Sequence, residues 1–160
     1  MIEININWKE IDPTNFEKFI AYLLEKLNFH NITWFGKGGG DKGRDIVAYT
    51  TEYLPLNLSY QRKWIIQCKR WSKFPSNTQI FNEIDTALEH KPDFWVLAIP
   101  LDPTANKIDY IENISKNYRN HNFKTKIISL NDIEKLLFKF PESKNILLKG
   151  SVLEDEHSVV

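Results

Sequence analysis

Apolar residues recur at helical spacing from Phe16 onward. Phe16, Phe19, Ile20, Leu23, Leu24 and Leu27 fall on one stripe of a 3.6-residue period. Asp12-Pro13-Thr14 before them reads as a helix start, because a proline in the first turn gives up only an N–H that has no partner there. Glu17 sits at the edge of the stripe, where it can border a core and still reach a site. Asn28-Phe29-His30-Asn31 ends the helix, and Ile32 to Phe35 predicts a strand. Arg44 to Tyr49 predicts a second strand and Lys63 to Arg70 a third, with Thr51 to Gln61 a polar, proline-containing connection. Pro75-Ser76-Asn77 caps a helix that runs to about His90 and buries Ile80, Ile84, Ala87 and Leu88.

Phe94 to Ile99 is a near-continuous apolar run, the pattern of a strand covered on both faces. A turn at Pro100 to Thr104 precedes a polar helix from about Asn106 to Asn120, with Ile108, Ile111 and Ile114 inward. Lys126 to Ser129 is a short strand, and Leu130 to Phe138 a helix capped by Ser129 or Asn131. Periodicity is lost after Phe140, and residues 151–160 read as a tail or linker behind a single domain over 1–150. At the other end, Ile2, Ile4 and Ile6 alternate with polar residues as in an edge strand. The order αβββαβαβα places a hairpin-rich start before crossover helices. That is an α/β fold with a central mixed β-sheet flanked by helices.

Chemistry concentrates between residues 36 and 73. Gly36 to Gly43 holds five of the six glycines, so this loop needs unusual backbone angles or close approach to a ligand. It is not a phosphate loop of the Gly-Lys-Ser/Thr type, and a strand-like run follows it where a dinucleotide fold would place a helix. Asp45 opens that strand. In Ile65-Ile66-Gln67-Cys68-Lys69, alternation sends Gln67 and Lys69 to one face and Ile66 and Cys68 to the other. If the two strands pair, a carboxylate, an amide oxygen and an ammonium converge. Such a set can hold a divalent cation on a phosphate and act on the attacking water. Each residue also has a plainer reading. Asp45 after a glycine is a common turn residue, Gln67 could be a satisfied core amide, and Lys69 an exposed strand lysine. Glu17 could simply suit the first turns of its helix. The Cys68 side chain, on the opposite face, reads as small core filling, and Trp71, Phe74 and Trp95 read as packing in preference to base-stacking platforms. The four histidines share no ligand spacing, which argues against zinc.

The ordered set of Phe16-Glu17, Gly38-Gly39-Gly40-Asp41-Lys42-Gly43, Arg44-Asp45-Ile46-Val47 and Ile66-Gln67-Cys68-Lys69-Arg70-Trp71 resembles the PD-(D/E)xK nuclease superfamily. It is most similar to the Mrr-like restriction endonuclease branch, in which Gln replaces the second acid. The resemblance is strongest over residues 14–72 and continues more weakly to about 138. It implies a four-stranded mixed sheet between helices and a metal-dependent DNA endonuclease, in a prokaryotic defence or restriction setting. It assigns Glu17, Asp45, Gln67 and Lys69 to catalysis, and Asp45, Gln67 and the backbone carbonyl of Cys68 to Mg2+, with Mn2+ an alternative ion. A nuclease-fold scaffold without activity, or a nuclease resembling Holliday-junction resolvases, remains open on residues alone.

Charge adds a location. The chain is neutral, with 21 basic and 21 acidic residues. Yet residues 36 to 73 carry eight basic side chains against three acids, so this segment is +5 and the remainder −5. A basic segment around the candidate site suits a polyanion, and Lys37, Lys42, Arg44 and Arg70 are the expected contacts to DNA, most naturally double-stranded. At 160 residues the chain is one domain, so target choice falls to a homo-oligomer, a further domain or another partner. One cysteine fits a reducing compartment, hence the cytoplasm, and no apolar run approaches the ~18 residues of a membrane span.

Overall fold

The computed structural model describes residues 5–36, 44–118 and 122–152. The glycine loop after Gly36, Ile2, Ile4 and the tail from residue 153 lie outside the described residues. After a short 3-10 turn at Trp8–Glu10 come α1 (Pro13–Lys26), β1 (His30–Trp34), β2 (Ile46–Tyr53) and β3 (Ser59–Cys68). Then follow α2 (Asn77–Ala87), β4 (Phe94–Ala98), α3 (Ala105–Asn113), β5 (Lys124–Ile128), α4 (Leu130–Lys139) and α5 (Lys144–Lys149).

The sheet has five strands in the order β1-β2-β3-β4-β5. The element order αβββαβαβα predicts five, and the resemblance implies a core of four. β1, β2 and β3 pair antiparallel, whereas β3-β4 and β4-β5 are parallel. Parallel neighbours need a long crossover, and α2 and α3 supply it. Asp12 starts α1 as expected: its carboxylate accepts from the N–H groups of Thr14 (2.7 Å) and Asn15 (3.4 Å), with Pro13 in the first turn.

Alternation along the central strands splits the interior into two cores. Ile46, Ala48, Ile66, Val96 and Ala98 face Phe16, Phe19, Ile20 and Leu23 of α1, with Ile133 and Leu137 of α4. Val47, Ile65, Trp95 and Leu97 face Ile80, Ile84 and Ala87 of α2, with Ile111 of α3. Each of the large apolar side chains among these contributes about 1.5–3 kcal/mol by leaving water.

Four elements differ from expectation. The polar stretch from Thr51 to Gln61 is not a connection. It extends β2 and β3 into a hairpin in register from Ile46↔Ile66 to Tyr53↔Ser59. Only Leu54 to Leu58 turns, with Leu56 (φ 64°) and Asn57 (φ 61°) left-handed. Thr, Glu and Arg serve a two-stranded ribbon wetted on both faces, which apolar alternation cannot reveal. α3 is shorter than expected and hands over to a 3-10 turn at Ile114–Asn117, leaving Ile108 36% exposed. Ile6 packs against the first core without forming a described strand. Finally, α5 forms where periodicity fails, because Ile146 and Leu147 close the core beneath α1. Six residues carry little helix stability of their own, so this packing is what holds α5.

Candidate active site

The start of β2 brings the key residues together. Asp45 lies just before that strand. Its N–H donates to the carbonyl of Ile66 (3.3 Å) and its carbonyl accepts from Phe35 N–H (3.0 Å). The chain on either side therefore pins its backbone. Its Oδ2 accepts the N–H of Cys68 at 2.7 Å, so the carboxylate rests on the Gln67–Cys68 peptide. Burial pushes the Asp45 carboxyl above the usual range, opposed by that N–H and by the charge of Lys69.

Gln67 is paired with Leu97 in the parallel ladder and is 8% exposed. Its Oε1 is buried without a hydrogen-bond partner. An orphaned buried acceptor costs about 1–3 kcal/mol, and a bound water or cation would remove that cost. Lys69 follows the strand end, with its N–H on the Ala98 carbonyl at 2.9 Å. Its ammonium lies 4.3 Å from the centre of the Trp71 ring and forms an ion pair with Glu83 of α2. Both ion-pair side chains are largely enclosed, Lys69 at 11% and Glu83 at 23% exposure.

Glu17 approaches from α1. Its Oε1 accepts the indole N–H of Trp34 at 3.0 Å. Burial raises its carboxyl, the Trp34 bond opposes, and the negative charge of Asp45 adds to the rise. Glu17 is thus within electrostatic reach of Asp45 while anchored on β1. The thiol of Cys68 packs against the α1-side core, and burial first, then Asp45 and Glu17, hold it far above its ordinary value. This is an inert side chain, and any contribution of Cys68 comes from its backbone.

The donors fit a hard cation. Asp45 offers a carboxylate and Gln67 an unengaged carbonyl oxygen, the oxygen chemistry that Mg2+ prefers. Among the described residues no cluster of three His, Cys, Asp or Glu side chains could hold a metal. A site here is therefore a mixed one, completed by backbone or water oxygens.

Of the expected DNA contacts, Lys37 and Lys42 lie outside the described residues. The guanidinium of Arg44 packs 4.6 Å from the Phe35 ring. Arg70 lines a depression with Trp8, Lys9, Trp71, Pro100 and Leu101, next to Lys69. Trp71 is no core residue: at 41% exposure it covers the Lys69 ammonium from the solvent side. Trp95, fully buried, and Phe74 do pack as expected.

Sequence reasoning passes over Glu83. It stands three residues after Ile80 and four before Ala87, both fully buried, so helical spacing places it on the sheet-facing stripe of α2. A charged residue on a buried stripe needs a partner, and that is the signal that could have found it.

No helix among the described residues is long and apolar enough to cross a membrane. No curated protein matches the chain significantly. Two solved structures share its fold. The DNA modification-dependent restriction endonuclease AspBHI superposes with TM-score 0.56 at 17% identity, covering 87% of this chain and 35% of that one. The MspJI restriction endonuclease, in complex with a 27-mer oligonucleotide, superposes with TM-score 0.52 at 13% identity, covering 87% and 30%. The chain thus spans about a third of the length of each. The family model Mrr_cat, described as restriction endonuclease, matches residues 8–99, which takes in α1, the β2-β3 hairpin, α2 and β4. That match covers more than half of the 160 residues and contains Glu17, Asp45, Gln67 and Lys69, so the chain belongs to the Mrr_cat restriction endonuclease family.

Proposed function

We propose that this chain is the nuclease domain of a divalent-metal-dependent DNA endonuclease that hydrolyses phosphodiester bonds in duplex DNA. One observation carries the reading. Asp45 is fastened to the peptide of Gln67 and Cys68, so the carboxylate, the unengaged Gln67 oxygen and Lys69 share one corner of the sheet. Asp45 and Gln67, with the Cys68 carbonyl, hold Mg2+ or Mn2+. The bound ion supplies Lewis acidity and a water of lowered pKa. Lys69 stabilises the charge that develops on the phosphate and positions the attacking water. Glu17 orders water at the edge of the metal from its place on Trp34. Arg44 and Arg70 of the described residues, with Lys37 and Lys42, contact phosphates on either side.

The domain takes residues 1–150, and 151–160 serve as tail or linker. Its setting is restriction or defence in a prokaryotic cytoplasm; the restriction endonuclease family supports the restriction part of that reading. Both fold neighbours are much longer chains. Target choice accordingly belongs to another domain, a partner or a homo-oligomer, and DNA modification is the first cue to test, since AspBHI is modification-dependent by name.

The test is cleavage of supercoiled plasmid, modified and unmodified, by purified protein with Mg2+, Mn2+ or EDTA. Nicking or linearisation with metal, abolished by EDTA and absent from Asp45→Ala, is the expected result. Cleavage equal in EDTA, or equal in Asp45→Ala, overturns the site assignment.

A further inference from the structure

Gln67 leaves a charge deficit. A cation held by one carboxylate and a neutral amide receives one negative charge from the strands, and Lys69 beside them cancels it. Glu83 of α2 brings a further negative charge to the same corner. It forms the ion pair with Lys69, and its carboxyl responds to Asp45 through space.

We infer that Glu83 is a positioning residue of the nuclease site: from helix α2 it supplies the carboxylate that the Gln67 strand lacks, and it holds the Lys69 ammonium in place. The inference rests on the nuclease reading of the site.

Three observations support it. One oxygen of Glu83 engages Lys69, and the other, Oε2, is buried without a hydrogen-bond partner. Gln67 Oε1, on the strand two residues before Lys69, is likewise buried without a hydrogen-bond partner. A device built only for stability would satisfy both or replace both with apolar groups. Second, Lys69 is confined on two sides, by Glu83 and by the ring of Trp71. A four-carbon side chain on the sheet surface would otherwise sample many rotamers, and few of them would meet a phosphate. Third, Glu83 sits on a helix between fully buried Ile80 and Ile84, so its backbone is fixed by the second core and not by the substrate. The arrangement divides labour between elements. The hairpin provides the ligands, and α2 provides the counter-charge and the hold on the lysine.

The decisive experiment compares wild type, Glu83→Gln, Glu83→Asp and Asp45→Ala. It measures single-turnover plasmid cleavage at saturating protein, duplex affinity by fluorescence anisotropy, Mn2+ binding by calorimetry, and Tm. Glu83→Gln preserves shape and removes the charge. The cleavage rate and the Mn2+ affinity should each fall by about tenfold to a hundredfold, with duplex affinity and Tm close to wild type. Glu83→Asp keeps the charge on a shorter arm and should recover part of the rate. A purely structural Glu83 would lower Tm without separating rate from DNA affinity, and that result overturns the inference. So does wild-type cleavage by Glu83→Gln, which leaves the nuclease reading standing. A wild-type protein that cuts no better than Asp45→Ala overturns the nuclease reading itself, and the role of Glu83 with it.

Discussion

Strand β3 has two faces with different fates. On one, Ile66 and Cys68 run into the α1 core. On the other, Ile65 is covered by α2, but the next residues outward are Gln67 and Lys69, met by Asp45 and Glu83. The backbone is continuous and the spacing identical, so the difference lies in what the opposing helix presents at that end. α1 turns Phe16 and Ile20 to the sheet and holds its carboxylate, Glu17, aside on Trp34, whereas α2 turns Glu83 directly to Lys69. A site arises here where one of two layers stops being oily just before the strand ends. The polar groups left there are buried enough to feel a low dielectric.

The sharpest break of this comparison is to remove one residue from each face. Asp45→Ala and Lys69→Ala should lower plasmid cleavage by at least about a hundredfold while leaving the circular dichroism spectrum that of the folded protein. Ile66→Ala, adjacent in sequence to Gln67 but on the closed face, should instead cost about 2–5 kcal/mol of stability in urea titration. If the site variants unfold and Ile66→Ala does not, the two faces have been assigned the wrong way round.

Gln67→Glu sharpens the comparison by adding charge to the open face alone. It places a carboxylate of similar shape where an unengaged oxygen already stands. Metal-dependent cleavage should persist, with Mn2+ bound more tightly in calorimetry. Loss of all metal binding would show that the Gln67 amide acts as a hydrogen-bond donor and is not a ligand.

The smallest effect concerns the rim. In the triple variant Lys42→Ala, Arg44→Ala, Arg70→Ala, duplex binding should weaken for all sequences alike. The slope of log K against log salt should flatten by about 0.9 for each phosphate no longer neutralised. An unchanged slope would move the DNA off this end of the sheet.

The amino-acid pattern shows the closed face better than the open one. The α1 stripe and the Phe94 run read directly as burial, since many apolar side chains repeat one period. Gln67 and Lys69 are legible because a strand's two-residue period puts them on a common face, and Asp45 because a glycine loop delivers it to the head of the neighbouring strand. Glu83 is not, because its signal depends on which stripe of α2 faces the sheet and on a lysine fourteen residues away. Trp71 misleads for a related reason: an indole looks like core until its neighbour turns out to be an ammonium. α5 escapes because two buried residues, Ile146 and Leu147, are too few to set a period. The hairpin beyond Tyr49 escapes because its side chains answer to water on both faces.

That hairpin has a consequence for self-association. Among the described residues, β1 stops pairing at Tyr49 and β4 begins at Trp64, so β2 from Thr50 and β3 up to Arg62 have only each other as ladder partners. Two open strand edges beside exposed Tyr53, Leu56, Leu58 and Tyr60 would invite a second chain to add on. Arg62 and Glu52 pair across one face of the ribbon, at 2.7 Å. The left-handed turn at Leu56 and Asn57 ends the ribbon abruptly. Charged residues on open strands work against edge-to-edge pairing, and Glu52 and Arg62 put such charge on this ribbon.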